Sequence, residues 1–322
     1  MNPAYSVLFF TCLSGAGYGM LAVLGAGVLF DALPADFVFG VVSMGTCLGL
    51  ITSGLLCSTL HLHHPERAWR AFSQWRSSWL SREGVAAVAT FIPAAVLALG
   101  WIFPAAVSAT FWKLGALASV LGAFATVLCT AMIYASLKPV GQWRITLASI
   151  PLVPFTYFGF ALAGGMVWAQ LLLSAFEKPH ALHMPPLTCA ALALAWAVKL
   201  LYWRQIDAQT NVHDLLDATG LKENWQNIRA FDSPHTEQNY LQKEMGYRVA
   251  RKHRDFLRRA AWRGGGVLPI VLLLAGAWAG GLAASVCALL AAALFMLGTL
   301  IERWLFFAEA VHTSSLYYDD KK

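Results

Sequence analysis

The sequence predicts an all-α integral membrane protein: eight transmembrane helices in one bundle, with a long loop between helices six and seven. Three observations predict it. Hydrophobic residues make up 58% of the 322 residues and charged residues only 12%, against roughly 25% charged in an ordinary soluble domain. Seven stretches carry no Asp, Glu, Lys or Arg: 1–30, 37–65, 84–112, 114–137, 145–176, 179–198 and 264–301. Finally, the charges gather in alternate loops between those stretches. Together these exclude a disordered chain, an ordinary soluble enzyme and a nucleic-acid-binding domain; the net charge of +6 belongs to loops and not to a nucleic-acid groove.

About 20 apolar residues cross the hydrocarbon core, so six of the stretches hold one span each. The seventh, 264–301, would be about 57 Å long as one helix at 1.5 Å per residue, far beyond a core of about 30 Å. Gly280-Gly281 near its middle can make a tight turn, which gives two short spans. The eight spans are expected near 6–30, 38–60, 84–103, 113–137, 145–173, 186–203, 264–280 and 283–303. The whole chain, 1–322, reads as one polytopic membrane domain, with 204–263 a basic loop within it. The first apolar run is too long for the h-region of a signal peptide.

Orientation follows from the charges. With eight spans, both termini share a side with the loops at 61–83, 138–144 and 204–263. That side holds 21 of the 23 Lys and Arg residues; only Lys113 and Lys178 fall on the other. Positive charge stays in the cytoplasm, so both termini are expected there. Mid-span polarity reads as Gln170 with scattered Ser and Thr. An ion-coupled transporter usually keeps an ionisable group or a broken helix near the midplane, so a small-solute transporter is the weaker alternative. A purely structural anchor is a third.

The loop at 61–83 carries the chemistry. After Pro65, which suits a first helical turn, Trp69, Phe72, Trp75 and Trp79 recur at spacings of three to four. This predicts an amphipathic helix in the headgroup layer, aromatics down and arginines toward phosphate. His61 ends span two and Glu83 begins span three, so the two converge if those spans are neighbours. A protonatable pair at that depth suits a quinone, whose carbonyls need hydrogen-bond donors and whose two-electron chemistry moves two protons. The plainer reading is a helix-start carboxylate and an interfacial histidine. Arg67, Arg70 and Tyr157 are the next candidates for quinone contacts.

His61, His63 and His64 lack an acidic or Cys companion, so no metal is expected. The other histidines lie in loops or the tail, so no haem is expected either. The six cysteines, Cys12, Cys47, Cys57, Cys129, Cys189 and Cys287, form no C-x-x-C pair and read as apolar free thiols, with no iron–sulfur cluster in this chain. In the long loop, Arg251, Lys252, Arg254, Arg258 and Arg259 make a basic stretch that suits either anionic lipid or a docked partner protein.

The pattern His61-Leu62-x-x-Pro65-x-Arg67-Ala68, followed by Ser78-x-Leu80-Ser81-x-Glu83, resembles the DmsC-like family, the membrane-anchor subunits of dimethyl sulfoxide reductase. His63 and His64 stand where that pattern has Gly and a basic residue. The resemblance implies a haem-free, eight-span anchor that exchanges electrons between the quinone pool and an iron–sulfur subunit. It places a molybdopterin catalytic partner on the same cytoplasmic side. It also implies quinone-site roles for His61 and Glu83. Relatives in the family serve sulfite-oxidising complexes, so the complex is expected to oxidise sulfite or to reduce dimethyl sulfoxide or an N-oxide. The partners expected are those two subunits and membrane lipid, with no nucleic acid. The charge asymmetry yields a test: a cytoplasm-active reporter fused after Lys322 should be active and a periplasm-active one silent. The reverse pattern would invert the orientation.

Overall fold

The computed structural model describes residues 4–60, 62, 64–178, 184–208 and 249–313, with isolated positions at 216, 219–221, 226 and 228. Eight helical segments in it are long and apolar enough to cross a membrane. They are α1 (Tyr5–Leu29), α2 (Phe37–Thr59), α3 (Trp79–Ile102), α4 (Ala109–Ala135), α5 (Leu152–Ala175), α6 (Met184–Ala208), the pair α7 (Val249–Trp262) and α8 (Leu268–Ala279), and α9 (Gly281–Ala308). Gly280 and Gly281 have φ of 68° and 50°, the left-handed region open to glycine. They make the turn between α8 and α9 that the sequence predicts.

Helices α1 and α5 lie at the centre and the others pack around them. Lipid is as apolar as leucine, so helices associate through close packing instead of exclusion from water. The packing is closest where α1 crosses α5. A Cβ on Gly19 would collide with the Ala161 carbonyl, and one on Gly165 would run into the Gly19 backbone. Gly54 meets the Ser14 backbone in the same way where α2 crosses α1. Side chains there would hold the helices apart.

Several features depart from the sequence reading. Span five starts at Leu152, because 145–151 forms a small hairpin in which β1 (Thr146–Leu147) pairs with β2 (Ile150–Pro151). Pro151 sits at the N-cap of α5, where its missing N–H costs nothing. The segment after Pro65 is a 3-10 helix, Pro65–Gln74, so its side chains repeat every three residues and not at the α-helical period. At the long loop, α6 continues to Ala208 and α7 begins at Val249, which shortens the predicted interval 204–263 at both ends. The basic stretch is thus part of a helix that runs into span seven. A π-helical turn, Arg263–Val267, joins α7 to α8. Such a turn breaks the regular ladder, and the Trp196 indole donates to the Gly265 carbonyl there at 3.0 Å.

Each face of the bundle has its own polar fastening. On the basic face, Trp143 Nε1 donates to the Phe306 carbonyl (3.1 Å) and the Tyr202 hydroxyl to the Gln142 carbonyl (2.9 Å). Thr313 N–H donates to the Pro139 carbonyl (3.0 Å). The loop at 138–144 and the ends of α6 and α9 therefore meet on one face, as an even number of crossings requires. On the opposite face the two isolated lysines are paired: Lys113 with Asp31 at 2.7 Å and Lys178 with Asp36 at 3.0 Å. Asp36 also caps α2, accepting from Phe39 N–H at 2.8 Å. That bond first, then Lys178, holds its carboxyl below the ordinary value. The contact's stability is therefore present above about pH 3.9 and is lost as the pH falls through the folded-state value.

The α1–α5 crossing predicts an asymmetry between glycines. Gly19→Val should destabilise the detergent-solubilised protein by about 1–3 kcal/mol or more, as overpacking against fixed backbone does. A Cβ on Gly45 meets nothing within 4 Å, so Gly45→Val should have little effect. Equal melting temperatures for the two variants would refute the close crossing.

Candidate functional site

Glu83 lies one turn into α3 and is 6% exposed. An ionisable group buried inside a membrane helix is expensive and generally functional. Its carboxylate accepts a hydrogen bond from the Thr130 hydroxyl of α4. Over it folds the 3-10 helix: the Ser81 hydroxyl donates to the Ala71 carbonyl, and Phe72 packs on Gly84. Arg82 fastens the same segment, donating to the carbonyls of Trp75 (3.0 Å) and Arg76 (2.7 Å) while its guanidinium covers the Trp79 ring at 4.3 Å. The predicted anchor segment is thus tied down over Glu83, with Trp69 and Trp75 exposed.

The other sequence candidates fall in several places. His61 and His63 lie outside the described residues, so the convergence of His61 with Glu83 does too. His64 and Arg67 are exposed and sit against Glu66, at 3.0 and 3.7 Å. Arg70 is exposed, with its guanidinium 5.7 Å from the Trp69 ring. Neither Arg67 nor Arg70 is brought into the bundle beside Glu83. In the basic stretch, Arg254 and Arg259 are exposed, and Arg254 pairs with Asp207 at 3.6 Å. Arg258 is turned inward: it forks onto Glu309 (2.9 and 2.7 Å) and reaches Asp207 (2.7 Å), which joins α7 to the ends of α6 and α9. The side chains of Arg251 and Lys252 lie outside the description.

The sequence reading missed a second polar group. Lys199 of α6 and Glu302 of α9 are fully buried and paired at 2.5 Å, and Arg303, 2% exposed, stands 3.4 Å from the other Glu302 oxygen. Aromatic faces surround the cations: Arg303 lies 3.8 Å over the Tyr157 ring and Lys199 4.2 Å over Tyr202. The sequence reading counts Lys199 and Arg303 with the charges of the cytoplasmic face; the structure buries both, with Glu302, inside the parts of α6 and α9 nearer that face. Counting uncharged stretches stops each span at its first charge, and α6 and α9 continue past theirs. The available signal was a Lys inside an otherwise apolar span at 186–203. Tyr157, the last of the quinone candidates, belongs to this group. Tyr134 of α4 stacks on Tyr157 at 5.8 Å and meets Trp143, Phe306 and Phe307 edge-on, so an aromatic layer covers the cluster from the basic face.

A small cavity of about 20 Å³ between α1, α4, α5 and α9 lies between the two groups, and none of Glu83, Lys199 and Glu302 lines it. Thr130, the partner of Glu83, forms one wall and Arg303 another. The cavity is too small for a quinone ring. Glu302 serves two buried cations, so Glu302→Gln should destabilise by about 3–5 kcal/mol. Lys199→Met leaves Glu302 with Arg303 and should cost less. Thermal melts of the two variants in detergent compare them, and a costlier Lys199→Met would mean that Arg303 draws nothing from Glu302.

Two comparisons with known proteins bear on this arrangement. The chain is 30% identical to a sulfite dehydrogenase subunit of Allochromatium vinosum, across 99% of each chain. Residues 1–246 match the family described as the DMSO reductase anchor subunit (DmsC). With eight membrane-spanning helices, a buried carboxyl beneath the 61–83 motif and a match over most of its length, the chain belongs to the DmsC family of DMSO reductase anchor subunits.

Proposed function

We propose that this chain anchors a molybdopterin/iron–sulfur oxidoreductase to the bacterial inner membrane. In this reading it passes electrons between the iron–sulfur subunit and quinone, with Glu83 as the proton-exchanging group. The observation that carries the proposal is the burial of Glu83 one turn inside α3, with a single hydroxyl among the described residues hydrogen-bonded to its carboxyl. A structural carboxylate at such depth is normally paired with a cation. One held by a lone hydroxyl is suited to take and give a proton. Quinone chemistry requires that, because two protons accompany each pair of electrons.

The narrow cavity behind Thr130 does not admit a quinone ring. In this reading the ring reaches Glu83 from the lipid side, beneath the segment that carries Phe72, and His61 is its second hydrogen-bond partner. The basic face is the cytoplasmic one, where both termini and the partner subunits lie. The exposed Arg254 and Arg259 can meet a partner or anionic lipid, whereas Arg258 is engaged inside the protein. The relative that spans the whole chain is a sulfite dehydrogenase subunit, which favours sulfite as the substrate of the complex and electron flow toward quinone. A buried charge cluster within the spans removes one objection to a transporter, but membership of the anchor family supports the redox reading.

The test compares two activities of membranes carrying the whole complex: turnover linked to quinone, and turnover with an artificial dye that takes electrons from the partner subunits. Glu83→Gln should assemble and keep dye-linked activity while losing about 100-fold in quinone-linked turnover, the scale of general acid–base catalysis. His61→Ala should lose the same activity. Normal quinone-linked turnover in Glu83→Gln would reduce Glu83 to an interfacial helix residue.

A further inference from the structure

The cavity beside Thr130 reaches from the hydrogen-bond partner of Glu83 to Arg303 of the buried cluster. Thr11, Tyr18, Thr130, Tyr157, Thr299 and Arg303 are among the residues lining it. The Thr11 and Thr299 hydroxyls donate to carbonyls of their own helices, Val7 (3.0 Å) and Phe295 (2.8 Å). The hydroxyl of Tyr157 and Nη1 of Arg303 have no hydrogen-bond partner among the described residues, and the Tyr18 hydroxyl stands by Thr126. A buried water needs about 10–15 Å³ and two to four polar partners, whereas an apolar cavity of that size stays dry. This cavity, at about 20 Å³, offers room for one water and two unmatched polar atoms, Tyr157 Oη and Arg303 Nη1.

We infer that the cavity is a buried water site through which Glu83 exchanges protons with the Lys199–Glu302–Arg303 cluster. The inference rests on the quinone role proposed for Glu83 and extends it to Tyr157 and Arg303, which act as positioning residues and touch no quinone. When the iron–sulfur partner supplies two electrons to quinone, the ring takes up two protons. Glu83 gives one to a ring oxygen and is left a carboxylate. Thr130 passes its hydroxyl proton to that carboxylate and takes one from the water, which Tyr157 and Arg303 hold. The water is restored from the Lys199 ammonium by way of Glu302, and the neutral amine recovers its proton from the basic face. A second pass delivers the second proton. Arg303 stays charged throughout, as a guanidinium does, and its N–H groups fix the water. Quinol oxidation runs the same transfers in reverse.

The test uses the intact membrane complex. Tyr157→Phe keeps the ring under Arg303 and removes only the hydroxyl; Tyr18→Phe does the same across the cavity. The double variant should assemble, keep dye-linked activity, lose ten-fold or more in quinone-linked turnover and show a larger solvent isotope effect. A double variant with unchanged quinone-linked turnover and isotope effect would overturn the inference. If Glu83→Gln is at the same time inactive toward quinone, the quinone reading stands alone; a fully active Glu83→Gln sinks both. A second measurement needs no variant. Redox-difference infrared spectra of the unsubstituted complex should contain an O–H stretch that shifts in heavy-oxygen water, and its absence would also overturn the water site.

Discussion

The close crossing of α1 over α5 is the constraint on which the rest depends. In lipid the helices gain nothing from burying apolar surface against one another, so contact distance decides how well they hold. Gly19 and Gly165 let the two backbones touch. Because α1 and α5 are central, that contact sets the positions of α2, α4 and α9 around them. It also brings Thr11 and Tyr18 opposite Tyr157, and so forms two walls of the cavity. A bulkier α1 would open that space and separate Thr130 from Arg303.

A second constraint comes from the same solvent. Lipid offers no hydrogen bonds, so a buried polar group takes its partner from inside the bundle. Most hydroxyls meet this locally by donating to their own helix, as Ser14, Thr90, Ser119 and Thr299 do. The charged residues meet it by clustering. Lys199, Glu302 and Arg303 share one site under an aromatic cover, and Arg258 pairs with Glu309 and Asp207. Glu83 differs in having a hydroxyl where the others have an ion. That difference in partner sets Glu83 apart from the ion-paired groups.

The number of spans, the glycine turn between the last two and the asymmetry of charge were legible in the sequence, because each follows from composition along the chain. A length of uncharged residues either crosses about 30 Å of hydrocarbon or does not, whatever surrounds it. The motif at 61–83 likewise carried its family, since its residues are neighbours in sequence. Glu83 stood out for the same reason: it is a lone carboxylate at the mouth of an apolar stretch.

What the sequence left undetermined lies between residues far apart along the chain. Nothing near Lys199 announces Glu302, and nothing near Glu83 announces Thr130; these pairs exist because α6 meets α9 and α3 meets α4. Arg258 reads as one more surface cation until Glu309 and Asp207 are brought to it. The 3-10 form of Pro65–Gln74 was also hidden, because aromatic spacings of three and four fit either helix until contacts to Ser81, Arg82 and Gly84 select one. The sequence by itself determined which segments enter the membrane, because transfer into lipid is a property of each segment. Only the tertiary structure decided which buried charges face one another, because that depends on how closely particular helices approach.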